Sequence, residues 1–508
     1  MKLWLTLAAA CLAVASSPAA PALGGTYAVV VSPETMADAE WATVARALQA
    51  KHSAELVVAP QGSPALRNAL ARGLPRYVGF VARPEELDQE YVAQIHRTAR
   101  GVDADPYEDF LWGIVTGATA KDALRVAGAA GELAVSNVVS LTSLRPEVTA
   151  NLLVLSDGQA GGWRLKEGSL LTNGVAGASS VVRLLDFLSR HELDALVTSG
   201  HASPFNLELS YRQGAMVSAA HRVYLLEAQD LWSWLATVGA GKRAGEKWYE
   251  SPGCGLARTE WAALHPQWEL PFSDRPKVFL AAGSCLVGNP LRSADSLVVT
   301  LLSAGGFNQC VGYTLEPKAS AGGWGTLRLW EALAGSVTLA EACYLASQEL
   351  VGDLVRECPA AAEGLRDPAS DQANPRDAAA RRTRLLAGVA ESRRAWLLNT
   401  LHDLDGLAFY GDPRWAARLG GAGAEVAARW EATAGGWRLR LTAQRTGPAT
   451  GRYLLLLPER AASPQVSDAG GLSVGITDEF VVIEPAKLET GQERTIRVAS
   501  GSRKEAAK

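Results

Sequence analysis

Leu193-Asp-Ala-Leu-Val-Thr-Ser-Gly-His201 and Lys277-Val-Phe-Leu-Ala-Ala-Gly-Ser-Cys285 decide how this chain is read. Each block is an apolar run of strand length that ends in small residues and then one reactive side chain. In an open α/β sheet the carboxyl ends of the strands form the crevice where ligands sit. Two such strands would bring an imidazole and a thiol to one edge. That pair can perform nucleophilic catalysis: a sulfur attacks, and a base takes its proton and later returns it. The plainer reading is packing, because Cys is among the most buried residue types. Gly200 and Gly283 favour the functional reading, since glycine relieves crowding where a backbone must approach a ligand.

Outward from these blocks the pattern is α/β. Tyr27-Ala-Val-Val-Val31 reads as a buried strand. Trp41, Val44, Ala45 and Leu48 then fall on one helical face. Glu55 to Ala59 and Arg76 to Val81 are further strands, with a helix around Arg67 to Ala71 between them. This alternation predicts a parallel sheet with helices on both faces. A second α/β unit begins near Leu170, with Val181, Leu184, Leu185 and Leu188 on one helical face before the His201 strand. Cys358 to Arg382 reads as a solvated linker and Arg384 to Leu401 as a helix. Beyond about Gly420, Trp437-Arg-Leu-Arg-Leu-Thr alternates with period two, and three more short apolar runs follow between Gly and Pro turns. A small β-sandwich with a core of its own is expected there.

The organisation expected is therefore a signal peptide over 1–22, an N-terminal α/β subdomain over 23–160, and a catalytic α/β subdomain over 161–420. A β-domain over 421–500 and a polar tail over 501–508 follow. Between the two blocks lies an insertion, about Arg212 to Ser273, rich in Trp and containing Cys254. It is placed to cap the crevice.

At this point the chain resembles clan CD cysteine peptidases, the group of caspases, legumains, clostripain and gingipains. It is most similar to the gingipain branch. Beyond the two blocks, the resemblance rests on Leu286-Val-Gly-Asn-Pro290, on Asp295 to Gly306, and on Asn308-Gln-Cys-Val-Gly-Tyr-Thr314. Gly323-Trp-Gly325 and Leu407-Ala-Phe-Tyr-Gly-Asp-Pro413 extend it. Asp105-Pro-Tyr107 resembles an Asp-x-Tyr element near that family's specificity pocket. The resemblance covers roughly residues 26–420. It implies a caspase/gingipain-like α/β fold with a small C-terminal all-β sandwich, and a cysteine-type endopeptidase. Cys285 would be the nucleophile and His201 the general base and acid. The amides of Ala202 and Cys285 would bind the oxyanion, and Asp105 and Trp324 would line the pocket for the residue before the cleaved bond. Ala202 stands where the clan usually has Gly, and still supplies an amide. The alternative from another class is a catalytically silent member of the same fold, acting as a surface-binding or assembly protein. The plain reading of Asp105 and Asp109 is acids at a helix start, and that of Trp324 is a core residue.

Composition limits the rest. Hydrophobic residues make up 48%, charged residues 20%, and the net charge is −4. That balance gives no basis for nucleic-acid binding. Met1-Lys2 and the short apolar run to Ala15 read as a signal peptide, cleaved after Ala15, Ala19 or Ala22. The run is too short for a membrane span, so an exported chain without a transmembrane segment is expected, acting on a protein or peptide substrate. The first strand starts almost at the expected cleavage point, which leaves no room for a long pro-segment. Removing the leader leaves Cys254, Cys285, Cys310, Cys343 and Cys358, an odd number that implies a free thiol. No zinc spacing occurs. No cofactor is required, and a structural calcium enters only through the family resemblance. A catalytic Cys285 is expected to alkylate fast at neutral pH.

Overall fold

The computed structural model describes residues 26–500 apart from 156–161, 176–179, 211–213, 241, 243–244, 252–253, 271, 366–383, 385, 387 and 449–450. The expected signal peptide and polar tail lie outside the described residues. Among the described residues, twelve strands form one sheet. From one edge the order is Glu55–Val58, Tyr27–Val31, Tyr77–Val81 and Leu111–Val115, all parallel. Leu407–Gly411 comes next, parallel to Leu111–Val115 but antiparallel to Phe307–Tyr313. Then follow Lys277–Ala281, Ala195–Thr198, Asn137–Ser140 and Asn151–Leu155, parallel to Phe307–Tyr313. Gly162–Glu167 and Leu170–Val175 close the far edge as antiparallel strands. The central strands are buried along their whole length, as parallel strands covered on both faces must be.

The α/β expectation is met. Trp41, Val44, Ala45 and Leu48 are all buried on the helix Ala39–His52. Asp38 caps it, accepting from the amides of Glu40 and Trp41. One expectation differs: the residues after Asp109 are a buried strand, Leu111–Val115, so Asp105 and Asp109 do not start a helix. The β-branched and aromatic run Leu111-Trp-Gly-Ile-Val115 suits a buried strand better than a helix.

The joining strand Leu407–Gly411 turns the sheet's direction, and its end is pinned. Gly411 has φ +106, and a Cβ there would meet the Asn308 carbonyl oxygen at 2.0 Å. Asp412 accepts from the Tyr27 hydroxyl at 3.0 Å and from Lys51 Nζ at 2.8 Å, and lies 2.7 Å from His52 Nε2. Burial alone would push the Asp412 carboxyl up. The His52 hydrogen bond and the Lys51 charge outweigh it and hold the group at about 2. Asp412→Asn is therefore expected to cost about 3 kcal/mol or more, as removing one partner of a buried ion pair does. The wild-type contribution is present above the ordinary carboxyl range, about 3.9. It fades as pH falls through about 2. Urea unfolding of both proteins at pH 7 and pH 3 checks this: the gap should narrow at pH 3.

The C-terminal strands form a four-stranded and a three-stranded antiparallel sheet, the sandwich expected. Val426–Thr433, Gly436–Ala443 and Glu493–Ala499 dominate the first, and Tyr453–Leu456 and Phe480–Ile483 the second. Its apolar side is not a separate core. Leu454, Leu455, Phe480 and Ile496 belong to the same buried cluster as the main sheet. The Arg76 side chain reaches across to the Leu457 carbonyl at 2.7 Å.

Candidate active site

The two reactive blocks lie side by side. Ala195–Thr198 and Lys277–Ala281 are adjacent parallel strands, with Thr198 opposite Ala281. Their tips are tied. Thr198 Oγ1 and Ser284 Oγ are 3.3 Å apart, both buried. The Ala282 amide donates to the Thr198 carbonyl at 2.7 Å. A Cβ on Gly283 would lie 3.4 Å from the Ser199 Cβ, ordinary contact distance, so the two tips run side by side here. The chain thus runs in contact up to two residues before His201 and one before Cys285. His201 is exposed and Cys285 half-buried.

The loop carrying Cys285 extends along a third strand. The Leu286 amide donates to the Leu315 carbonyl at 3.0 Å, and the Gly288 amide to the Tyr313 carbonyl at 3.0 Å. Asn289 Nδ2 donates to the Thr314 carbonyl at 2.8 Å. Leu286 has φ 56, a left-handed conformation that costs a branched side chain free energy. It turns the chain sharply just after the thiol. A Cβ on Gly288 would lie 2.3 Å from the Gly312 carbonyl oxygen, so only glycine fits that crossing.

Trp324 stands on the first turn of the helix Ala321–Ala332 and is 40% exposed. Its Nε1 would be 3.3 Å from a Cβ on Gly283, so the indole flanks the thiol loop. The helix starts this close because Gly323 packs on the Ala282 carbonyl, where a Cβ would approach to 2.2 Å. Trp324 is therefore partly open and not a core residue. Asp105 lies on the loop before Leu111–Val115 and accepts from the Tyr107 amide at 2.8 Å. Burial lifts its carboxyl to about 6, and the charges acting on it are Asp103, Asp478 and Arg460. Asp478 and Arg460 belong to the C-terminal β-sandwich.

The charges that act on Cys285 are others. Burial pushes its thiol up, Glu316 and Asp403 add to that, and Lys318 and the residue's own amide oppose it. The net direction is the reverse of a preformed thiolate. The sulfur could act as a nucleophile there only with a base to take its proton. Sequence reasoning missed Glu316, Lys318 and Asp403. Glu316 and Lys318 belong to the turn beyond Tyr313, and Asp403 ends the helix Glu391–Asp403. The Asp403 carboxylate accepts the amides of Lys318, Ala319 and Ser320 at 2.7, 2.7 and 2.8 Å and so shapes that turn. The carboxyl-end rule, applied to the Phe307–Tyr313 strand as well, points to the turn that carries Glu316 and Lys318 but not to Asp403.

After His201 the chain enters a four-stranded antiparallel sheet: Ala202–Ser203, Asn206–Ser210, Gly214–Ala219 and Arg222–Glu227. The His201 carbonyl accepts from the Glu208 amide at 2.8 Å, and Ala202 pairs with Leu207. Helices Ala228–Val238 and Cys254–Leu264 follow. Trp234, Trp261 and Tyr224 pack in a cluster of their own. The extra layer thus begins at His201 itself, ahead of Arg212. Arg258 clamps it to the segment after Cys285 through Asp295, at 3.0 Å.

Cys254, Cys310, Cys343 and Cys358 are buried and Cys285 is the one cysteine among the described residues that is not. No disulfide is formed among them, where the odd count required only one thiol outside a disulfide. Among those residues, the carboxylates that converge closely enough to hold a cation are Asp103, Asp109 and Asp478. Arg460 already bonds to all three.

No family model and no curated protein matches the sequence. Among solved structures, the chain is similar to the Arg-specific cysteine proteinase gingipain R. That match has a TM-score of 0.38 and 10% identity, and covers 94% of this chain and 99% of the other. A structure described only as a protease gives a TM-score of 0.35 and 7% identity, covering 94% and 95%. Values this low assign no activity, so the functional reading stands on the residues themselves. Among the described residues no helix is long and apolar enough to cross a membrane.

Proposed function

We propose that this chain is an exported cysteine-type endopeptidase in which Cys285 attacks and His201 moves the proton. The observation that carries the reading is the registered pair of strands whose tied tips lead into His201 and Cys285. His201 takes the thiol proton as sulfur adds to the peptide carbonyl. The amides of Ala202 and Cys285 steady the developing oxyanion, where one lost donor typically costs about 10²–10³ in rate. His201 returns the proton to the leaving amine, and water then hydrolyses the thioester. The raised thiol supports a base-dependent attack over a standing thiolate.

For specificity we propose a cationic side chain before the cleaved bond, with Trp324 as the wall. An indole face adds a cation–π attraction of about 0.5–2 kcal/mol. Asp105 and Glu316 are the acids that compete for the cation. Profiling the purified protein on a peptide library, with Asp105→Asn and Glu316→Gln beside it, decides between them. The variant of the acid that serves should lose the preference for Lys and Arg, an effect larger than any change in its cleavage of neutral peptides. Equal cleavage of basic and neutral peptides by the wild type would overturn the specificity and leave the dyad standing. A silent binding protein of the same fold would cleave nothing in the library.

A further inference from the structure

Glu316 is reached by the inserted layer. Its position is fixed by backbone: Leu315, the residue before it, accepts from the amide of Leu286, the residue after Cys285. Lys247 Nζ hydrogen-bonds the Glu316 carboxylate. Lys247 precedes Trp248, whose ring packs on Trp234 at 5.0 Å and on Phe205 at 6.1 Å, so the lysine is carried by the layer's own core. Its ammonium also lies 5.6 Å from the centre of the Tyr249 ring. Both partners stay about half exposed, 49% and 51%. The layer therefore starts at one reactive residue, His201, and puts a cation onto the acid beside the other.

Resting on the peptidase reading above, we propose that Lys247 is an internal occupant of a cation subsite made by Glu316, so that a basic group on a substrate must displace it to reach Cys285. The bond is exposed, and exposed ion pairs are weak and screened by salt. The occupant therefore acts as a competitor that yields to substrate and not as a lock.

The test uses the full chain and two reagents that alkylate Cys285, a lysyl chloromethyl ketone and neutral iodoacetamide. Lys247→Ala should speed labelling by the lysyl reagent about two- to five-fold at low salt, the size of an exposed ion pair. The advantage should vanish near 1 M salt, where the screening length is about 3 Å. Iodoacetamide should not gain, because freeing Glu316 adds negative charge beside the thiol. Lys247→Ala combined with Glu316→Gln should lose the gain. Equal lysyl-reagent rates for Lys247→Ala and wild type at low salt would overturn the proposal, as would an equal gain with iodoacetamide. Failure of the dyad reads out separately: the lysyl reagent would then label His201→Ala as fast as wild type.

Discussion

Replacing Cys285 by Ala is expected to remove peptide hydrolysis, with a loss of about 10⁴-fold or more in kcat. Replacing His201 by Ala should cost nearly as much, and the double variant little beyond either single one. Nucleophile and base act as a unit, so their losses do not add. KM should move far less than kcat, because neither side chain carries the bulk of substrate binding. The fold should survive. His201 is exposed, Cys285 is half-buried, and the ties between the tips run through Thr198, Ser284 and the Ala282 amide. Circular dichroism and thermal melts of the variants should match the wild type while turnover disappears. Loss of the folded signal together with turnover would mean that the two residues hold the sheet edge together and are not a reacting pair.

The second large effect is expected far from the thiol. Arg460 stands among Asp103 and Asp109 of the main domain and Asp478 and Glu479 of the β-sandwich. Tyr344 donates to Glu479 at 2.6 Å, and Arg76 lies close enough to act on the same carboxyl. Burial lifts Asp109 to about 8 and Glu479 to about 7, against the pull of the arginines. Arg460→Met leaves these acids without their shared cation and should cost about 3–5 kcal/mol. A carboxyl raised in the folded state keeps its proton where the unfolded chain has lost it. Stability therefore falls as pH climbs from the ordinary carboxyl range, about 4, through about 8. The variant should lose more at pH 8 than at pH 5, since more of the acids must ionise unpaired. Melting temperatures at the two values check this. A pH-independent loss would mean that packing around Arg460, and not its charge, joins the domains.

Much of the fold was legible because apolar periodicity is local. The buried runs at Tyr27, Tyr77, Ala195, Lys277 and Phe307, and the run at Glu55 on the exposed edge, all became strands of one sheet. The face Trp41, Val44, Ala45 and Leu48 became a buried helical stripe. Leu407 to Pro413 was recognised as a motif, but nothing in it says that the strand runs antiparallel to Phe307–Tyr313 and so reverses half the sheet. That is set by pairing between distant segments. Asp109 was misread for the same reason. Its acid suits a helix start, yet its partner is Arg460, more than three hundred residues on. The site was legible where reactive residues end strands. It was not legible at Lys247, an ordinary charged residue on a loop that meets Glu316 only in space.

The most direct test of the dyad is the dependence of Cys285 modification on His201. Wild type and His201→Ala are treated at pH 7 with a peptidyl chloromethyl ketone, and the modified cysteine is located by mass spectrometry. The account predicts modification confined to Cys285 in the wild type and nearly absent in His201→Ala, because the raised thiol lacks the base that takes its proton. Equal modification of both proteins, or modification at Cys254, Cys310, Cys343 or Cys358 instead, would contradict it.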